Sequence, residues 1–393
     1  MKKYLLMTLC SIAVVCCTAG WDTIKKTDPY FEATIKNVDI GGEMLLYQNI
    51  SKPMRSCDRM LKGLGKVADE KDPTTQSLFV AFAKMLDVTS FKAIAQSSVK
   101  VEKGVYLYKQ FVLTRKNTKS ILAGEALKNE KLDHMIASLP ADTRLALHGN
   151  FNMVYLLKRL TEEFAATGNK TLIDGLAKLR TQSKAEGVDI DAWAESACGP
   201  MMLVISGELP QDLKVAIAIS DKNGVLSGLL RKQYKPKENE SSYPITGIPI
   251  FPKAQLVYSE GCILLVSDPA ILAKPAKMLG DDPRYSKYLP LLPKEGSGFM
   301  VVDVNPNFAA LANFMIPEDK RCITIRPFRI VAVDCRRENG IASTMASNFS
   351  LPISGYKFIN AMVPAMMKRA KGMAPQKKAP AATPAKAPAP AAK

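Results

Sequence analysis

The sequence predicts an α+β fold made by duplication: units of antiparallel sheet with packed helices, ending in a disordered tail. Three observations carry this. Apolar runs alternate with period two and come in pairs split by turn residues, the pattern of antiparallel hairpins. Helix-period patterns gather in 51–97 and 151–197 instead of alternating with every strand, which favours α+β over a doubly wound parallel sheet. One short motif also recurs three times along the 393 residues.

The chain begins like an exported protein. Lys2 and Lys3 precede an uncharged apolar run, Tyr4 to Ala19, that ends in Thr18, Ala19 and Gly20. A charged head, an apolar middle and a small-residue exit make a signal peptide over 1–20, with cleavage after Ala19 or Gly20 leaving Trp21 near the mature end. The run is shorter than the roughly 20 residues of a membrane span. A lipid-modified cysteine at Cys16 or Cys17 is the alternative, but the small residue expected before such a cysteine is Val15 or Cys16 here. Beyond the leader the expected division is a first α+β unit over 21–140, a second unit or units over 141–371 and the tail over 372–393.

The recurring motif is clearest in "LALHGNFNMVYLLKRL" (145–160) and "MVVDVNPNFAALANFM" (300–315), with a fainter copy in "MLLYQNISKPMRSCDRML" (44–61). Each reads as an apolar strand ending at Asn-x-Asn or Asn-x-Ser, followed by a helix. A helix start leaves backbone N–H groups without partners, and a short polar side chain at the N-cap can accept from one of them. Ser51, Asn152 and Asn307 are assigned this role. Pro306 keeps the residue before it out of helical geometry. In the first copy Met54, Cys57, Leu61 and Leu64 mark one helix face.

Flanking segments repeat as well. "KNTKSILAGEALK" and "SDPAILAKPAKML" both read as helices, the second capped by Asp268 with Pro269 at its first position. A Leu-Pro then ends a helix before the strand in "SLPADTRLALHGN" and "LLPKEGSGFMVVDVN". "LDVTSFKAIAQSSVKV" and "VDIDAWAESACGPMML" place an aromatic, Phe91 or Trp193, four residues after an Asp, and a short helix then leads into strands. One of Asp189 and Asp191 caps the helix of Trp193. The strand runs include "VYLYKQFVLT", "LKVAIAIS", "AQLVYS" and "CILLVS", with a turn at Glu260-Gly261 between the last two. "FRIVAVDC" and "IASTMASNFS" flank Asn339-Gly340, a strong hairpin signal. "KPKENESSYP" (235–244) reads as a surface loop.

Catalytic signatures are lacking. No GxSxG, HExxH or Gly-rich dinucleotide fingerprint occurs. His148 falls at a motif position occupied by Asp303 and Tyr47 in the other copies, so no shared reaction holds it. Nothing pairs His134 with it as a metal site. "LKGLGK" (61–66) lacks the spacing and terminal Ser/Thr of a phosphate-binding loop and reads as a helix end. Glu162-Glu163 and Asp281-Asp282 are adjacent carboxylates that do not converge on a helix and read as solvated surface. Met362, Met366 and Met367 have helical spacing and read as core or interface. No catalytic, cofactor-binding or metal-binding residue is assigned, and no cofactor.

The charge of +17 is unevenly placed. The leader holds +2, and the tail from Lys368 holds +7 with no acid, leaving the body only +8. Nucleic-acid binding is not indicated, because the body mixes its signs and the clustering sits in the tail. That Ala/Pro/Lys tail suits contact with an anionic cell-wall polymer or membrane surface. Five cysteines follow the leader: Cys57, Cys198, Cys262, Cys322 and Cys335. With wide spacing and no CxxC they suggest buried apolar residues, or at most two bridges.

The segment "GCILLVSDPAILAKPAKMLGDDPRYSKYLPLLPKEGSGFMVVDVN" (261–305) carries a resemblance. A hairpin, an SDP cap, a Leu-Pro and a strand ending in Asp-x-Asn resemble a family of exported bacterial proteins of unknown function, built from tandem strand-helix units. The likeness spans about 140–350 and implies a duplicated α+β fold in the cell envelope, with no catalytic residue to transfer. The expected function is a non-enzymatic binding or structural module of the envelope. The alternatives are a periplasmic carrier of an apolar ligand and a hydrolase-type enzyme without a local motif.

Overall fold

A computed structural model describes residues 28–68, 72–208, 212–234, 242–245, 252–259, 261–315 and 326–350. The expected leader and tail, Cys322, and Met362, Met366 and Met367 lie outside the described residues. So does most of the expected loop 235–244, whose last three residues are instead a short strand.

The described chain opens with α1 (Phe31–Ile35) and β1 (Met44–Asn49). Helices α2 (Ser51–Ala68) and α3 (Pro73–Leu86) follow, then the hairpin β2 (Phe91–Glu102) and β3 (Val105–Thr114). The helical spacing in α2 buries Met54, Cys57 and Leu61 against Leu86 and Val88. Gly65 lets the two helices close, since a Cβ there would lie 2.6 Å from the Cα of Gln76. Next come β4 (Glu130–Lys131), α4 (Asp133–Ala137), β5 (Thr143–Phe151), and helices α5 (Met153–Thr167), α6 (Lys170–Ala185) and α7 (Ile190–Ser196). Strands β6 (Gly199–Ser206) and β7 (Lys214–Ser220) lead to α8 (Val225–Tyr234), β8 (Ser242–Pro244), β9 (Gln255–Ser259) and β10 (Cys262–Val266). The last described elements are β11 (Glu295–Gly296), β12 (Gly298–Val304), α9 (Pro306–Met315), β13 (Phe328–Arg337) and β14 (Gly340–Ser347).

The fold is α+β. Among the described residues twelve strands form one antiparallel sheet in the order β1-β2-β3-β14-β13-β12-β5-β6-β7-β10-β9-β8, while β4 and β11 pair with each other. The order resolves into four three-stranded meanders. Three start at the Asn motif: a first strand, a helical insertion, then a hairpin that pairs back on that strand (β1/β2-β3, β5/β6-β7, β12/β13-β14). The fourth is β8-β9-β10. The boundary expected at 140/141 lies inside this continuous sheet, because the first meander pairs with the last through β3 and β14, from Leu113↔Gly340 to Tyr106↔Ser347.

Several expectations are corrected. Ser51 is not a cap but the first residue of α2; Asn49 accepts hydrogen bonds from its N–H and hydroxyl at 3.1 and 2.6 Å. Asn307 lies inside α9, and Asn305 accepts from the Phe308 N–H at 2.7 Å. Proline at the first helical position places the cap just before it. Only in the second copy does the later Asn act, Asn152 accepting from the Tyr155 N–H at 3.1 Å, because β5 runs on to Phe151. Asp268 accepts from the Ala270 N–H at 2.8 Å, but it caps only a 3₁₀ turn, Pro269–Leu272. Pro275 stops that segment from becoming an α-helix. "KNTKSILAGEALK" contains only a 3₁₀ turn at Gly124–Ala126, where Gly124 takes φ +63° and its missing side chain clears the Thr118 carbonyl. Phe91 begins a strand whereas Trp193 sits in a helix, and Asp189 caps that helix. The last hairpin turns at Glu338 and Asn339, since Gly340 already pairs with Arg337. Gly340 serves close packing instead: a Cβ there would lie 2.3 Å from the Val112 carbonyl oxygen.

The sheet's two faces differ. Side chains alternate along each strand, and one face is packed throughout its centre. Ala146, Phe299, Val301, Val331, Val333 and Ala346 are buried under Leu132, Ile136, Leu279, Tyr285 and Tyr288, from α4, the residue before it and the 279–292 segment. The other face is covered at its ends. Helix α2 lies over Ile94 at one end, and α8 sets Leu226 and Leu230 on Leu256, Tyr258 and Ile263 at the other.

Candidate functional site

Between those covered ends the second face forms an apolar groove of about 630 Å³, lined entirely by strand residues of β3, β14, β13, β12, β5, β6 and β7. The pairing register lays its floor out in rows. One row runs Tyr108-Met345-Ala332-Met300-Leu147-Leu203-Ile217 across seven strands. Its members are part-exposed except Tyr108, which is buried, and Leu147 is 39% exposed. The rings of His148 and Phe299 stack on the packed face, with centroids 4.9 Å apart, so alternation leaves their main chain toward the groove.

The adjacent row changes character. Gln96, Gln110, Ser343 and Asp334 are cross-strand neighbours on β2, β3, β14 and β13. Gln96 donates to Gln110 at 2.7 Å, and the Ser343 hydroxyl donates to the Asp334 carboxylate. The row then continues through Gly298 and Gly149, where the Phe151 ring lies over Gly149, to Met201. Asp334 is exposed to the groove, yet protein surrounds it on most sides. Desolvation therefore pushes its carboxyl above the ordinary carboxylate range, against the lowering pull of the Ser343 hydrogen bond. Among the described residues it is the only carboxylate lining the groove, and no lysine or arginine lines it.

The motif position of His148 lies on the packed face in all three copies, each time with a different polar partner. Tyr47 faces Asp28 without an aligned hydrogen bond, and burial, helped by that carboxylate, drives its hydroxyl pKa well above the usual value. His148 Nε2 is 3.1 Å from Glu130 Oε1, but neither atom has an aligned hydrogen bond. Burial lowers the His148 pKa to about 4 and raises that of Glu130, so both are held toward their neutral forms. Asp303, its side chain fully buried, meets three guanidinium groups: Arg144 at 2.9 Å, Arg329 at 3.3 Å and Arg284 at 3.6 Å. Glu208 and Asp282 pair with Arg144 and Arg284, each at 2.7 Å, so the cluster balances its charge internally.

Of the adjacent carboxylates, Glu162 and Asp281 are exposed as expected, whereas Glu163 is half-buried and Asp282 buried. Glu162 and Glu163 both reach buried Arg159, at 2.9 and 2.5 Å, since residues three and four apart share a helix face. Asp282 is buried against Arg284. Cys57, Cys198 and Cys335 are buried and Cys262 is half-buried, and no disulfide joins any two of these four. Ser51, Asn152, Asp268 and Asn307 lie away from the groove lining. Sequence reasoning missed Asp334; the available signal was a lone acid inside the apolar run "FRIVAVDC". Among the described residues no group of three His, Cys, Asp or Glu could hold a metal, and no helix is long and apolar enough to cross a membrane.

No family model, curated protein or solved structure matches this chain.

Proposed function

We propose that this protein is an exported, non-enzymatic binding module of a bacterial envelope whose working surface is the open sheet face, with an apolar ligand. The groove carries this reading. Its volume of about 630 Å³ falls in the range of small-molecule sites, which are mostly apolar with a few placed polar groups. Three methionines on that face, Met201, Met300 and Met345, suit a surface that adapts its shape to a flexible partner. Between the two binding readings of the sequence, the groove favours an apolar-ligand carrier over a purely structural part. The leader-like residues 1–20 support export, and the basic tail supports attachment to an anionic polymer or membrane surface.

The test is binding of an uncharged, environment-sensitive probe, N-phenyl-1-naphthylamine, to the chain from Trp21 to Lys393. Saturable binding is expected, with Leu147→Glu and Met300→Glu each weakening it by roughly tenfold or more, since a charge placed in an apolar site is costly to desolvate. Unfolding midpoints near the wild-type value would show that these variants still fold. Absence of saturable binding, or equal binding by folded variants, would refute the reading.

A further inference from the structure

We propose that the groove's ligand is a single-chain amphiphile with a protonated amine head, the head resting at Asp334 and the chain lying along Met300, Leu147, Leu203 and Ile217. The inference rests on the apolar-ligand reading above and adds the chemistry of the head.

Three observations support it. First, the groove has a polar end and an apolar length. From Asp334 on β13 to Ile217 on β7 there are four strand spacings of about 4.8 Å, roughly 19 Å of mostly apolar floor. Second, Asp334 has no cation among the described residues. Only burial and the Ser343 hydrogen bond bear on its carboxyl, whereas the buried Asp303 on the neighbouring strand meets three arginines. Arg336, next along the same face of β13, is anchored to the Leu127 carbonyl at 3.1 Å. Tyr108 is the other ionisable side chain on that face of the groove, and His148 turns its ring to the packed face. Third, a chain lying in the groove would shut water away from the exposed Asp334 carboxylate, which is costly without a counter-charge, and a bound ammonium would relieve that cost through a charge-assisted hydrogen bond. An anionic head would add repulsion instead, and an uncharged one would leave the carboxylate unpaired.

The experiment compares dodecylamine, dodecanol and dodecanoate as competitors of N-phenyl-1-naphthylamine on the Trp21–Lys393 chain at neutral pH. The amine should bind tighter than the alcohol by roughly tenfold, the scale of one hydrogen bond to a charged group, and dodecanoate should bind weakest. Asp334→Asn should erase the amine's advantage and leave dodecanol unchanged. The wild-type protein gives the same answer without a variant: the advantage should fade on acidification, as Asp334 takes up a proton while the amine keeps its own. Equal binding of amine and alcohol, tight binding of dodecanoate, or an advantage that survives both Asp334→Asn and acidification would overturn the head assignment and leave the apolar reading standing. Failure of all three to compete while the probe still binds saturably would overturn the amphiphile assignment, whereas absence of saturable probe binding would overturn both.

Discussion

The two faces of the central sheet use similar apolar residues for different ends. Phe299 and Met300 are consecutive on β12 and point to opposite sides. Phe299 is 3% exposed, under the Tyr285 and Tyr288 layer, while Met300 stands half-buried in the groove. On the packed side each ionisable residue at the repeated motif position has a polar partner from another part of the chain: Asp28 for Tyr47, Glu130 for His148, arginines for Asp303. On the open side Asp334 has, among the described residues, only a serine hydroxyl. The difference teaches that the described residues cover one face and leave apolar area and a charge uncovered on the other, the side on which the proposed ligand would lie.

Mutation tests that difference directly. Phe299→Ala should cost about 3–5 kcal/mol, as for other buried aromatic truncations, and Met300→Ala well under half of that, both read from urea unfolding midpoints. Comparable losses would mean the open face is as much core as the other. Asp303→Asn should cost a similar 3–5 kcal/mol, because it leaves three guanidinium groups facing each other without their buried carboxylate.

Acid should act through the packed face too. The folded-state pKa of His148, about 4, lies below its ordinary 6.5, so the unfolded chain binds the extra proton between those values. Stability is therefore complete above about pH 6.5 and falls as pH drops toward 4, by up to about 3 kcal/mol for this residue. Glu130, whose pKa is raised, opposes part of the loss, since its contribution is present at low pH and lost as pH rises through its folded pKa. His148→Gln should flatten the wild-type decline in that window; an unchanged slope would show that His148 does not titrate this way.

The smallest effects concern the helix starts. Asn152→Ala and Asn305→Ala should each cost about 1 kcal/mol, and Asn307→Ala only a few tenths, since Asn307 accepts no capping bond. A larger loss at Asn307 than at Asn305 would return the cap to the position first expected.

Much of the fold was legible because local physics fixes it. Alternation marked "VYLYKQFVLT" and "LKVAIAIS" as strands, and the spacing of Met54, Cys57 and Leu61 gave the buried face of α2. What local pattern could not supply was pairing between distant segments. The contact of β3 with β14 joins residues more than 200 positions apart and closes the first unit onto the last. Polar residues spaced two apart, Asn150 and Asn152 or Asn305 and Asn307, also left the cap ambiguous by two positions, until strand length and Pro306 decided it. The groove was hidden for a different reason: Leu, Ile and Met on an open face look the same in sequence as those of a core, and only Asp334 differs. The partners of Asp303 stayed out of sight because Arg144, Arg284 and Arg329 come from three separate segments.

The most direct test of the open-face account is methyl NMR of methionine-labelled protein during titration with dodecylamine. The account predicts that the methyl resonances of Met201, Met300 and Met345 shift together and saturably, while those of Met54 and Met85, buried away from the groove, stay in place. Shifts at Met54 and Met85 with none at the three groove methionines would contradict it.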